Sequence, residues 1–209
     1  MNCEALIFDI DGTLWDSRAL VAKGYNAQLK KEGLEHLSVD AEVLKKLFGK
    51  VMTEIADVLF ETIPVPERYD LLERCMESEG QTLHNDPCHI GYPGVKEVLT
   101  ELKKKYRLFI VSNSQSGYPQ LCIHKLGLED LIEGHLCFGD TGTSKGQTIL
   151  RLMKEHGIEH AVYVGDTQGD YEATVEAGIP FVFAAYGFGQ PEAWAAKIDT
   201  LEELIGLEI

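Results

Sequence analysis

The sequence predicts an α/β fold, a doubly wound parallel sheet with an all-helical block inserted after its first strand. An apolar run, Ala5-Leu6-Ile7-Phe8, stands close to the start of the chain. From about Gly91 onward, helical patterns alternate with short runs rich in β-branched residues, whereas residues 16–88 read as helix throughout. Alternation of that kind implies parallel strands covered by helices on both faces.

Residues 5–8 form the first strand. In the helical block, Met52, Ile55, Ala56 and Leu59 fall on one helical face. Pro64 and Pro66 end that helix and start another, which runs to about Leu83. Val95, Val98, Leu99 and Leu102 mark a helix ahead of a strand at 108–111. A helix from about Gly117 to Leu126 leads to a strand at Leu136-Cys137-Phe138. A helix from about Gly146 to His156, a strand at 161–164, a helix from about Asp170 and a strand at 181–183 complete the alternation. Thr200 with Glu203 predicts a capping box on the last helix. The expected division is a core of residues 1–15 and 89–209 and an inserted helical domain of residues 16–88.

Composition narrows the function. The formal net charge is −15, and no block of Lys and Arg offsets it, which argues against nucleic-acid or anionic-membrane binding. The densest basic run, Lys103-Lys104-Lys105 with Arg107, sits where cations complement a helix dipole. The five cysteines (Cys3, Cys75, Cys88, Cys122, Cys137) are scattered without a Cys-x-x-Cys pair and read as reduced thiols of a cytoplasmic protein. The N-terminal residues lack the basic start of a signal peptide, and no apolar stretch is long enough to span a bilayer. His156 and His160 have the spacing of a metal pair, but Gly157 between them marks a helix end.

The first strand runs out into two acids one residue apart, Asp9 and Asp11. Like charges this close raise each other's pKa unless a cation intervenes. Mg2+ takes carboxylate and phosphate oxygens as ligands and would remove the conflict. In sheets of this class ligands bind outside the carboxyl ends of the strands. The segments after the other strands suit that edge: Ser112-Asn113-Ser114, then Thr143-Ser144-Lys145-Gly146 ahead of a helix, then Gly165-Asp166-Thr167-Gln168-Gly169-Asp170. Acid pair, hydroxyl, amide, lysine and second acid pair converge on one edge, which points to phosphate chemistry.

The ordered set Asp9-x-Asp11-Gly12-Thr13-Leu14, Val111-Ser112-Asn113, Lys145 and Gly165-Asp166-x-x-x-Asp170 resembles the haloacid dehalogenase superfamily of phosphohydrolases. Within it, the chain is most similar to the phosphoglycolate phosphatase and β-phosphoglucomutase-like group, with a Rossmann-like core and a helical cap inserted after the first acid pair. One departure is Gly146, where relatives usually carry proline.

The resemblance implies a role for each residue. Asp9 is the expected nucleophile, giving an aspartyl-phosphate intermediate. Asp11 is the expected general acid and then base, with its backbone carbonyl on the metal. Ser112 is expected to hydrogen-bond a phosphoryl oxygen, Asn113 to support that loop, and Lys145 to neutralise charge on Asp9 and the phosphoryl group. Among the metal-binding acids, Asp166 is the expected direct Mg2+ ligand, and Asp170 orients ligands or water. Lys50, after Gly49 between two cap helices, is the candidate substrate contact in the cap.

The expected function is Mg2+-dependent hydrolysis of a small phosphorylated metabolite. A phosphomutase and a non-catalytic ligand-binding protein stand as alternatives. The mutase reading lacks the histidine that related mutases carry soon after Leu14; Arg18 is the nearest basic residue. A P-loop kinase fails on residue identity, because Ser144 precedes the lysine and Gly146 follows it. An EF-hand starting at Asp166 would place Ala177 where calcium needs glutamate. A phosphonate hydrolase lacks the second acid that Asp11 supplies, and a haloacid dehalogenase lacks the full metal-binding acid set.

Overall fold

The computed structural model describes residues 3–208. The chain divides into two compact units, Ser17–His89 and the remainder. The larger unit opens with β1 (Ala5–Phe8), every residue of which is buried. The helical unit follows with α1 (Arg18–Lys31), α2 (Ala41–Lys45), α3 (Met52–Leu59) and α4 (Glu67–Asn85). The larger unit resumes with α5 (Val95–Leu102), β2 (Arg107–Ser112), α6 (Tyr118–Leu126), β3 (Gly134–Cys137) and the single turn α7 (Phe138–Thr141). It ends with α8 (Lys145–His156), β4 (Ala161–Gly165), α9 (Gln168–Ala177), β5 (Phe181–Ala184) and β6 (Ala196–Ile198).

The strands form one sheet of order β3-β2-β1-β4-β5-β6, and each neighbouring pair is parallel. The two acids therefore leave the central strand, flanked by β2 and β4. Strands buried on both faces read as continuous apolar runs, and β1, β4 and β5 do so. One core layer joins Ile7, Phe109 and Tyr163 from three neighbouring strands to Ile149, Leu152 and Ala173 of α8 and α9.

Within the helical unit, α1 and α4 pack together through Leu20, Val21, Tyr25 and Leu29 on one side and Leu71, Leu72, Cys75 and Leu83 on the other, all buried. Asn26 pairs with the backbone of Val39 in both directions, at 2.7 and 2.8 Å, pinning the segment ahead of α2. The exposed surface pair Arg74–Glu32 adds little stability.

Three local expectations are corrected and one element is added. Phe138 starts a helical turn and is not part of β3, because Asp140 reaches back to the Cys137 N–H in a capping box. Helix α9 starts at Gln168, ahead of Asp170, since Thr167 is its N-cap. Thr200 makes no side-chain cap; it precedes a 3-10 segment, Leu201–Gly206, and Glu203 accepts instead from the Asp199 N–H at 2.9 Å. Strand β6 is an addition: Ala-Lys-Ile is too short for a periodic signal. No helix among the described residues is long and apolar enough to cross a membrane.

Candidate active site

The site is built where β1, β2 and β4 end side by side. The Asp9 N–H donates to the Val164 carbonyl at 2.9 Å, which continues the β1–β4 ladder one residue past the strand and buries Asp9. Beyond it the chain turns back tightly: the N–H groups of Thr13, Leu14 and Trp15 all donate to the Ile10 carbonyl. Gly12 makes this turn with a φ of 85°. A side chain there would be strained, and its Cβ would fall on the Asp166 carboxylate.

Helix α8 delivers Lys145 from its first turn, behind the N-cap Ser144, whose hydroxyl accepts from the Gln147 N–H. The Lys145 ammonium donates to Asp9 Oδ1 at 2.9 Å and to Asp170 Oδ1 at 2.6 Å, with all three side chains almost fully buried. It also lies 5.8 Å from the centre of the Tyr163 ring. The Tyr163 hydroxyl donates to the Val111 carbonyl at 2.7 Å, so one β4 side chain ties the lysine's floor to the end of β2. Gly146 has a local reason. A Cβ there would collide with Glu176, which accepts hydrogen bonds from Ser144 and Gln147 at the start of α8.

Asp170 serves the helix and the site at once. Its Oδ2 accepts from the backbone N–H of Thr167 at 2.9 Å, from the Thr167 hydroxyl at 2.7 Å and from the Asp166 N–H at 3.2 Å. That is a capping box, and it leaves Oδ1 for Lys145. Asp166 differs: Oδ2 accepts from the Phe188 N–H at 2.6 Å, while buried Oδ1 has no hydrogen-bond partner among the described residues. Phe188 belongs to the loop after β5, whose Gly187 packs so closely on Asp166 that a Cβ would overlap the carboxylate.

Carboxylate oxygens of Asp9, Asp166 and Asp170 lie within 4.8 Å of one another. The Asp11 carboxylate lies outside this group. Its Oδ1 accepts from the Trp15 indole at 2.8 Å and from the Tyr118 hydroxyl at 3.0 Å. Ser112 is buried at the end of β2, and its hydroxyl accepts from the Ser114 N–H at 3.3 Å. Asn113 follows it, half-buried. Lys50 belongs to the helical unit, where it is exposed and faces Glu54 at 3.6 Å.

Three buried acids face one buried ammonium, and this imbalance sets the electrostatics. Burial pushes the Asp9 carboxyl up to about 7, against the pull of Lys145 and with the help of Asp170. Burial, Asp170 and Asp9 together hold Asp166 well above the usual carboxylate range. For Asp170 burial also disfavours charge, but Lys145 and the Thr167 donors outweigh it and keep the group ionised. Lys145 is raised: burial opposes its charge, and Asp170 and Asp9 more than offset that. The array thus has a locked ion pair, Lys145–Asp170, and two acids that are costly to ionise without a further cation.

The family described as haloacid dehalogenase-like hydrolase matches residues 6–184 of this chain. The chain belongs to that family. Among curated relatives of this hydrolase, the phosphoglycolate phosphatase of Aquifex aeolicus is 32% identical over 189 residues, covering 88% of this chain and 85% of that protein. The phosphoglycolate phosphatase of Rhodobacter capsulatus is 27% identical, with the same coverage of each chain, 88% and 85%. Solved structures share the fold. A predicted phosphoglycolate phosphatase from Haemophilus somnus superposes with a TM-score of 0.84 at 22% identity, covering 99% of this chain and 98% of that one. A haloacid dehalogenase-like family protein from Streptococcus pneumoniae gives 0.81 at 21% identity, covering 98% of each.

Three features of this hydrolase's site lie outside the sequence reading: the Trp15 and Tyr118 contacts to Asp11, the Tyr163 strut, and the backbone of the loop after β5 on Asp166. Only Trp15 and Tyr163, which adjoin the acid-bearing segments in sequence, stood near a signal that could have flagged them.

Proposed function

We propose that this chain is a Mg2+-dependent phosphatase that hydrolyses a small phosphorylated metabolite through an aspartyl-phosphate on Asp9. The observation that carries the reading is the buried Asp9–Lys145–Asp170 array beside Asp166, at the carboxyl ends of parallel strands. The named activity of the curated relatives makes phosphoglycolate the first substrate to try.

The residues fit a hard divalent cation. Buried Asp166 Oδ1 lacks a partner among the described residues, the acids outnumber the ammonium, and every available donor is an oxygen. Asp9, Asp166 and the backbone carbonyl of Asp11 would hold the ion. Asp170, whose two oxygens already serve Lys145 and the start of α9, would position its neighbours. When bound, Mg2+ supplies charge neutralisation on the phosphoryl oxygens.

The chain's own groups then act in sequence. Asp9 attacks phosphorus, and Lys145 offsets the charge that collects on the phosphoryl oxygens. Ser112 and the backbone N–H groups beside it orient those oxygens. Asp11 protonates the leaving alkoxide and then draws a proton from the water that cleaves the aspartyl-phosphate. A mutase reading has no specific contact in its favour.

The test is phosphate release across a panel of phosphorylated metabolites, with and without Mg2+, with Asp9→Asn as the blank. Metal-dependent release by the wild type alone is expected. Chelation should stop turnover, and Mg2+ should restore it; release undiminished after thorough chelation would remove the metal from the mechanism.

Substrate choice is assigned to the helical unit, through Lys50. Lys50→Ala should raise KM for the preferred substrate several-fold and re-order the panel, because an exposed ion pair such as Lys50–Glu54 contributes too little stability for its loss to disturb the fold. An unchanged substrate ranking would refute that assignment.

A further inference from the structure

We propose that Trp15 and Tyr118 are positioning residues that aim the Asp11 carboxyl, making Oδ1 a fixed acceptor and Oδ2 the atom that carries the transferable proton. The inference rests on the phosphatase reading, in which Asp11 is the acid and base, and it assigns that role to one oxygen.

The geometry is specific to Oδ1. It receives the indole N–H of Trp15 at 2.8 Å and the phenol O–H of Tyr118 at 3.0 Å. A carboxyl oxygen has two lone pairs, and an indole nitrogen can only donate. A proton placed on Oδ1 would therefore displace one of these donors, whereas a proton on Oδ2 leaves both in place. The two donors also hold each other. Trp15 is fully buried and Tyr118 nearly so, and their rings meet edge to face at 5.5 Å and 80°. They arrive from separate places: Trp15 closes the turn after β1, and Tyr118 opens α6 after Gly117, which has a φ of 86°. The carboxyl is thus held across a sequence separation of 107 residues by a clamp anchored to both strand ends.

In the first step, a bond forms from Asp9 to phosphorus as the bond from phosphorus to the leaving oxygen breaks. The Asp11 Oδ2 proton passes to that leaving oxygen, which departs as the alcohol. In the second step a water oxygen attacks phosphorus, the bond to Asp9 breaks, and the water's proton returns to Asp11 Oδ2. Inorganic phosphate leaves and Asp11 is again protonated. Throughout, Oδ1 accepts the same two hydrogen bonds, so the carboxyl need not rotate between its two duties.

The decisive variant is Tyr118→Phe, which removes one oxygen and keeps the ring against Trp15. The readout is kcat/KM, which reports formation of the aspartyl-phosphate, on an alkyl phosphate and on p-nitrophenyl phosphate. The alkyl leaving group needs the Asp11 proton, and nitrophenolate does not. Tyr118→Phe should lose about tenfold on the alkyl phosphate and far less on the aryl one, as expected for one lost hydrogen bond to an acid. Trp15→Phe should repeat the pattern. A loss of equal size on both substrates would mean general structural damage, and no loss on either would mean the clamp is idle; both results overturn the proposal. Asp11→Ala separates this from the underlying reading. If Asp11→Ala shows the leaving-group dependence and Tyr118→Phe does not, the clamp alone fails. If Asp11→Ala hydrolyses alkyl phosphates at the wild-type rate, Asp11 is not the acid, and that part of the phosphatase reading fails with the clamp while the Asp9-dependent hydrolysis stands.

Discussion

Asp9→Asn is expected to abolish phosphate release while the protein stays folded. The amide is a far weaker nucleophile than a carboxylate, so the acyl phosphate cannot form, and activity should fall by at least about a thousandfold. Stability should move the other way in chelated protein. Asp9 is raised to about 7 from an ordinary value of 3.8, so the folded state binds more protons than the unfolded chain between those limits. Stability contributed by this group is therefore present at low pH and falls as pH rises through that window. Asparagine has no charge to desolvate and removes the dependence. Thermal melts of chelated wild type and Asp9→Asn at pH 5 and pH 8 check it: the variant should gain on the wild type at the higher pH. Full residual turnover, in protein free of wild-type contamination, would refute Asp9 as nucleophile.

Lys145→Met should cost both activity and stability, which distinguishes it from Asp9→Asn. The methionine keeps much of the side-chain volume but leaves Asp9 and Asp170 buried beside each other without their shared cation. Removing one partner of a buried, hydrogen-bonded ion pair costs about 3–5 kcal/mol. Loss of charge stabilisation on the phosphoryl group should lower kcat by roughly a hundred- to a thousandfold. Urea denaturation and phosphate release measure the two effects. Groups in direct contact couple, so the double variant Asp9→Asn with Lys145→Met should be less destabilised than the sum of the single ones. Additive changes would mean that the 2.9 Å contact contributes nothing to the fold.

The site was legible in the sequence to the extent that it depends on strand ends. A buried strand has one exit, and polar residues placed just after it must lie at the sheet edge. Asp9, Ser112, Asp166 and Lys145 could therefore be assigned to one edge from their positions alone, and β1, β2 and β4 bring the first three there side by side. The part of Asp170 in holding Lys145 was less legible. Its spacing from Asp166 suggested a supporting acid, but the capping box with Thr167 and the 2.6 Å bond to the lysine depend on where α9 starts. Lys50 shows the limit for a surface residue, since its local partner Glu54 lies one helical turn away and says nothing of substrate.

The sequence by itself determined the sheet class, the helical insertion, the ordered acids and lysine, and the family they mark. Those are carried by local patterns: periodicity within an element, and residue type at an element's end. The tertiary structure alone decided how the carboxylates divide their work. Asp170 is bound to Lys145, Asp166 is left with a buried oxygen that has no hydrogen-bond partner among the described residues, and Asp11 is turned to Trp15 and Tyr118. It also decided that the backbone after β5 closes on Asp166, with Phe188 22 residues further along the chain. Such contacts join single residues from separate elements, so they leave no repeat along the chain and become visible only once the strands are side by side.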